Sequence, residues 1–151
     1  MGFSPLGLIV SVAVLAPNLL MIRFPPRDDP EPVRVPVVLV VLERAGQALC
    51  LVVPAITTPG AVLWWWSIPV ALAVLGYAAL WLRYLVRGRT TALLYAPVSR
   101  IPIPMALLPV VAFLAAAAWL ADPWIALAAV VLAAGHIPVS AITARASVSR
   151  A

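Results

Sequence analysis

The sequence predicts an all-α integral membrane protein, a bundle of five transmembrane helices with the N-terminus outside and the C-terminus in the cytosol. Three observations carry that expectation. Hydrophobic residues make up 65% of the 151 positions and mean hydropathy is +1.11, well above the roughly 45–50% apolar content of a soluble domain. All ten basic residues are arginine. Nine of them cluster as Arg23, Arg27 and Arg34, then Arg83, Arg87, Arg89 and Arg100, then Arg145 and Arg150. The alternate connections, Thr57 to Ala61 and Asp122-Pro123, carry no positive charge, and cytosolic loops are the ones that retain arginine. The third observation is that Trp64, Trp65, Trp66, Trp119 and Trp124 border those uncharged connections, as expected of rings that prefer the membrane interface.

The chain reads as a single domain over 1–151. The first span, about 3–24, is interrupted at Pro17-Asn18. It lacks a positive leading region and is followed by arginine, so it reads as a retained helix and not a signal peptide. Pro25 to Pro36 cannot be helical throughout. The second span is 37–56, and Thr57-Thr58-Pro59-Gly60 is a turn signal. The third is about 62–86, followed by an arginine-rich connection from Arg87 to Arg100. The fourth is about 103–121, Asp122-Pro123 makes a tight turn, and the fifth is 124–144. Each run is near the roughly 20 residues needed to cross a hydrocarbon core. Only helices or closed barrels satisfy a backbone there, and these runs are too long and unalternating for barrel strands. A four-span reading would place Arg145 and Arg150 outside. No internal repeat is visible, and an odd number of spans argues against a duplicated transporter.

The formal charge of +5 and pI near 10.7 do not indicate nucleic acid, because the arginines edge apolar runs and form no basic face with interleaved aromatics. The expected partners are the bilayer, whose anionic headgroups meet those arginines, and a lipophilic small molecule. Cys50 stands alone, which excludes an internal disulfide. An Ala-, Val- and Arg-rich composition without lysine points to a GC-rich bacterial genome, and so to a multi-pass protein of the bacterial plasma membrane. No metal-ligand pair, phosphate loop, nucleophile elbow or dinucleotide fingerprint occurs, and no cofactor is expected.

Helical rise places several polar residues at one depth. At about 1.5 Å per residue, Asn18 lies roughly 9 Å from the cytosolic end of its span. Glu43, Arg44 and Gln47 lie at roughly 10 to 17 Å, and Tyr77 and His136 at roughly 12 to 14 Å. Glu43, Gln47 and Cys50 share one helical face, whereas Arg44 lies about 100° around from Glu43 and is expected to snorkel toward headgroups. Ionisable groups at this depth cost roughly 2.5–3.5 kcal/mol on insertion scales and usually face a cavity or a partner. Glu43 is the only carboxylate inside a span, and a carboxylic acid kept neutral there is a usable proton donor. The competing reading is that these residues hydrogen-bond across helices as packing glue. Pro17, Pro109 and Pro138 fall near the same level, where each frees a carbonyl and opens space.

Tyr77, Trp81 and Tyr84 are spaced by four and three and form an aromatic stripe, either packing or a π-lined wall for an apolar chain or a cation. At the cytosolic mouth, Arg27-Asp28-Asp29-Pro30-Glu31 falls one residue short of an aspartate-rich diphosphate motif. Asp28 and Asp29 are reserve candidates for the acid. Mg²⁺ at Asp28, Asp29 and Glu31 is the lesser reading, with a solvated loop preferred.

Asn18-Leu19-Leu20, Phe24-Pro25-Pro26 and Glu43-Arg44-x-Gly46-Gln47 together resemble small bacterial membrane-integrated terpene cyclases, over the first third of the chain. The resemblance implies a metal-independent cyclase in which a buried carboxylic acid protonates an alkene or epoxide and aromatic rings guide the cation. Glu43 is the expected acid, with Asn18, Gln47, Tyr77, Trp81, Tyr84 and His136 lining the substrate cavity. A proton-coupled or cation transporter and a structural or accessory membrane protein are the alternatives. Polar positions confined to the cytosolic half favour a blind cavity over a path.

Overall fold

The computed structural model describes residues 2–28 and 33–148, and within them every regular element is helical and no strand is present. Ser4 starts α1 (Pro5–Leu15): its Oγ accepts from the Gly7 N–H at 3.1 Å, and Pro5 occupies the first turn, where its missing N–H is not needed. At Pro17 the chain tightens into a 3₁₀ turn over Ala16–Leu19 and resumes as α2 (Leu20–Arg23). The interruption expected at Pro17-Asn18 is therefore a change of helical pitch. It turns Asn18 off the regular helical face.

The next element, α3 (Val37–Ile56), contains Pro54, whose missing N–H leaves the Cys50 carbonyl without its intrahelical partner. The Ser11 hydroxyl donates to that carbonyl at 2.8 Å, which both satisfies it and ties α1 to α3. A 3₁₀ turn at Trp64–Trp66 leads into α4 (Ser67–Val86), which ends at Gly88 with φ of 105°, a left-handed stop that glycine adopts at little cost. Then follow α5 (Thr91–Tyr95), α6 (Pro104–Trp119) and α7 (Pro123–Val148). Asp122 Oδ1 accepts from the Trp124 N–H at 2.9 Å and so caps the start of α7.

Among the described residues four segments are long and apolar enough to cross a membrane: Pro5–Arg23, Val37–Ile56, Trp64–Val86 and Pro123–Ser147. The fourth span expected from sequence, over 103–121, contracts to α6, a shorter apolar helix of 16 residues, about 24 Å long. Pro104 sets its start, and a left-handed Ala121 (φ 47°) turns the chain after it. The last helix, expected to end at 144, continues to Val148. The arginine-rich connection from Arg87 to Arg100 contains α5.

Backbone hydrogen bonds define the two ends of the bundle. The Gly2 and Ser4 N–H groups donate to Ile56 and Ala55, and those of Gly60 and Leu63 donate to Leu120 and Trp119. These gather the start of α1, the end of α3, the start of α4 and the end of α6. The Trp64 and Trp119 rings meet edge-on there, 5.7 Å apart. At the other end the Arg27 N–H donates to the Arg89 carbonyl at 2.8 Å and joins two arginine-rich connections.

Small residues set the closest approach. A Cβ at Gly46 would lie 2.3 Å from the Leu132 Cα, and one at Gly135 would lie 2.2 Å from the Glu43 nitrogen. The backbones of α3 and α7 are thus in direct contact, the packing mode typical of membrane helices. Alanines of α6, with Val110 and Phe113, form the centre of the core. Apolar side chains such as Val41, Leu72, Leu75 and Leu82 point outward, as a hydrocarbon solvent allows.

Candidate functional site

Glu43 lies in the second turn of α3, opposite the point where Gly135 brings the α7 backbone against it. The next residue of α7 is His136. Its Nδ1 lies 2.6 Å from Glu43 Oε1, and the two side chains remain 22% and 16% exposed. A contact this short is a hydrogen bond, with the donor and acceptor roles set by the ring's tautomer. With Nδ1 engaged by the carboxylate, Nε2 is the ring nitrogen left for other partners. Sequence reasoning offered Glu43 as the acid, with its catalytic partner unassigned, and His136 as a cavity-lining residue. The structure makes them one unit.

The facing wall is built by the pitch change in the first segment and by α4. Tyr77 donates its hydroxyl to Asn18 Oδ1 at 2.5 Å. Trp81 stands perpendicular to Tyr77, with ring centroids 6.3 Å apart. Between the two walls lies a cavity of about 260 Å³, lined by Asn18, Glu43, Gln47, Tyr77, Trp81 and His136. The depth arithmetic had set Asn18, Glu43, Gln47, Tyr77 and His136 at one level, and the fold brings them around one space.

Other lining residues were not foreseen. Leu94 and Tyr95 enter from α5, and Ser140 enters from α7 one turn beyond His136. The run Leu93-Leu94-Tyr95, apolar within an otherwise arginine-rich connection, was the available signal. Burial raises the Tyr95 phenol above its ordinary range; the Thr143 side chain opposes that rise by hydrogen bonding and the Glu43 carboxylate adds to it. Tyr95 is therefore a neutral hydroxyl at neutral pH. Arg44, expected to snorkel away, is exposed but also lines the cavity, and it has no carboxylate partner among the described residues.

Two candidate residues are not among those lining the cavity. Tyr84 is fully buried and lies beyond the cavity: its hydroxyl donates to the Phe24 carbonyl at 2.9 Å, and its ring stacks edge-on against Trp81. The stripe continues along α4, but the cavity stops at Trp81. Asp28 is also elsewhere. Its two carboxylate oxygens accept from the Thr91 N–H at 2.8 and 2.9 Å, and Oδ1 also accepts from the Thr91 hydroxyl. It is a cap for α5, placed away from the cavity. Asp29 and Glu31, the other mouth carboxylates, lie outside the described residues. Among the described residues no group of three His, Cys, Asp or Glu side chains could hold a metal ion.

A second hollow of about 460 Å³ lies at the tryptophan end, lined by Val53, Ile56, Thr57, Thr58 and Trp124. It shares the α3–α7 seam with the first cavity. Between the two, the Gly46–Leu132 contact and the fully buried Cys50 close that seam.

In comparison with known proteins, no family model matches the chain, and neither a curated protein nor a solved structure matches it.

Chemically, the cavity offers an acid–base pair on one wall and two aromatic rings on the other. A proton can be delivered from the pair, and a positive charge formed opposite it would face π-electron density.

Proposed function

We propose that this protein is a membrane-embedded enzyme that acts on a lipophilic, isoprenoid-type substrate by proton-initiated cyclisation in a cavity facing the cytosol. The observation that carries this reading is the Glu43–His136 pair, set across a cavity from Tyr77 and Trp81. The pair donates its proton to an alkene carbon or epoxide oxygen of the substrate. The alkene π electrons form the new C–H bond, or an epoxide C–O bond breaks, and a carbocation results. A second alkene closes the ring by attacking that carbon, and loss of a proton to the pair restores it, so the reaction is an isomerisation with no net consumption of acid. The resemblance of the first third of the chain to terpene cyclases supports the same chemistry.

The membrane arrangement belongs to the proposal. We read α6 as a fifth span, with the N-terminus outside and the arginine-rich end in the cytosol. In support, α6 runs antiparallel to both α4 and α7, and its end meets the start of α4 through the Leu63–Trp119 hydrogen bond. A short hydrophobic stretch is accommodated by local thinning or by packing within the bundle. The closed seam between the two hollows supports a blind cavity over a transport path.

The test is turnover of prenylated alkenes and epoxides by purified protein in micelles. Glu43→Gln keeps size and some hydrogen bonding but removes the acid, and turnover falls by roughly 10² to 10⁴, the usual loss with general acid catalysis. A structural reading is favoured by the position of the pair beside a direct backbone contact between α3 and α7. If Glu43→Gln turns over every active substrate normally while Glu43→Ala lowers the unfolding temperature, the pair is a clamp and the enzyme reading fails.

A further inference from the structure

Hydrogen-bond capacity around the cavity is unbalanced. Among the described residues Glu43 is the only carboxylate on its wall, and its Oε1 is engaged by His136; Asn18 Oδ1 accepts from Tyr77. Donors, by contrast, are left over. Arg44 lines the same space from about 10 Å inside the start of α3, with five N–H donors and no carboxylate partner among the described residues. The Gln47 amide and Ser140 hydroxyl add further donors. A charged side chain at this depth usually faces a cavity or a partner, and an anionic ligand in the cavity would supply the partner that Arg44 lacks.

We propose that the cavity takes a single-chain amphiphile with an oxyanion head, a phosphate or carboxylate held by Arg44, and an apolar chain lying against Tyr77, Trp81 and Leu94. This rests on the reading of the cavity as an enzyme site and adds a substrate class to it. The head accepts from the guanidinium in the fork geometry that suits phosphate and carboxylate. A cavity of about 260 Å³ is near the lower limit for small-molecule sites, which suits a single chain.

The experiment compares radiolabelled farnesyl phosphate with farnesol, binding to the full chain in neutral micelles. Wild-type protein binds the phosphate roughly tenfold or more tightly than the alcohol, the usual contribution of a charge-assisted hydrogen bond. Arg44→Gln removes that preference, and Arg44→Lys keeps part of it. Inorganic phosphate at millimolar concentration does not compete, because the chain supplies part of the affinity. Equal binding of phosphate and alcohol overturns the proposal, as does an unchanged preference in Arg44→Gln. Competition by dioleoyl phosphatidate as strong as by farnesyl phosphate assigns the site to a bilayer headgroup and also overturns it. None of these outcomes depends on turnover: a Glu43-dependent reaction with no phosphate preference removes only the head-group assignment. An Arg44-dependent preference without any turnover removes the enzyme reading and keeps the anion site.

Discussion

Glu43 and Gly135 are best understood together, because the glycine allows the carboxylate to meet His136. A methyl group at Gly135 would sit 2.2 Å from the Glu43 nitrogen, and the atom in the way is backbone, which cannot rotate aside. Gly135→Ala is therefore expected to destabilise the bundle by about 1–3 kcal/mol or more, as overpacking does, and to weaken the pair at the same time. Thermal unfolding in detergent checks the first effect; an unchanged midpoint would show that α3 and α7 are not in backbone contact. Ser11→Ala tests a different device. It leaves the carbonyl of Cys50, freed by Pro54, without a donor, at a cost of about 1–3 kcal/mol. In Ser11→Ala combined with Pro54→Ala the restored helical N–H should recover much of that loss. Glu43 itself was legible in the sequence as the only carboxylate inside a span. Its partner was not, since nothing local links two residues 93 positions apart.

The helices were legible to different degrees, for physical reasons. Long apolar runs identify α3, α4 and α7, while Pro17 marks where the first segment changes pitch. The short α5 was missed because its stability is not local: five residues do not sustain a helix in isolation. Here Asp28, 63 positions away, accepts from the first turn. Asp28→Ala removes that cap, worth roughly 1 kcal/mol. Faster hydrogen exchange over residues 91–95 is the expected result, with the remaining helices unaffected. Because α5 carries Leu94 and Tyr95 to the cavity, the same variant should weaken substrate affinity more than the chemical step. A complete loss of turnover in Asp28→Asn alongside normal turnover in Glu43→Gln would place the acid at the mouth. Tyr84 was assigned to the cavity because periodicity along α4 shows which residues share a face. It does not show where along that face the cavity ends.

Among the described residues the arginines gather in one half of the bundle and every tryptophan except Trp81 lies at the opposite end, and the acid–base cavity lies in the arginine half. If that half faces the cytosol, Thr58 and Ser147 lie on opposite sides of the membrane. Single cysteines at these two positions, with Cys50 buried and unreactive to the reagent, should be labelled from opposite faces of intact cells. Labelling from one face would reduce the spans to four and demote α6 to a helix inside the bundle. Charge alternation is readable from sequence because insertion itself reads it. The cavity is less so: depth arithmetic puts side chains on one level, but the pitch change at Pro17 and the glycine contact of α3 with α7 decide which of them share a space.

The central claim is that Glu43 and His136 form one proton-handling unit. The chain has a single histidine, so nitrogen-15 labelling of histidine yields one Nδ1 and one Nε2 resonance without ambiguity. The measurement is the NMR spectrum of those two nitrogens in wild-type protein and in Glu43→Gln, in micelles at one pH. The account predicts a strongly hydrogen-bonded Nδ1 in the wild type that is clearly displaced in the variant. Identical Nδ1 signals in the two proteins would contradict it.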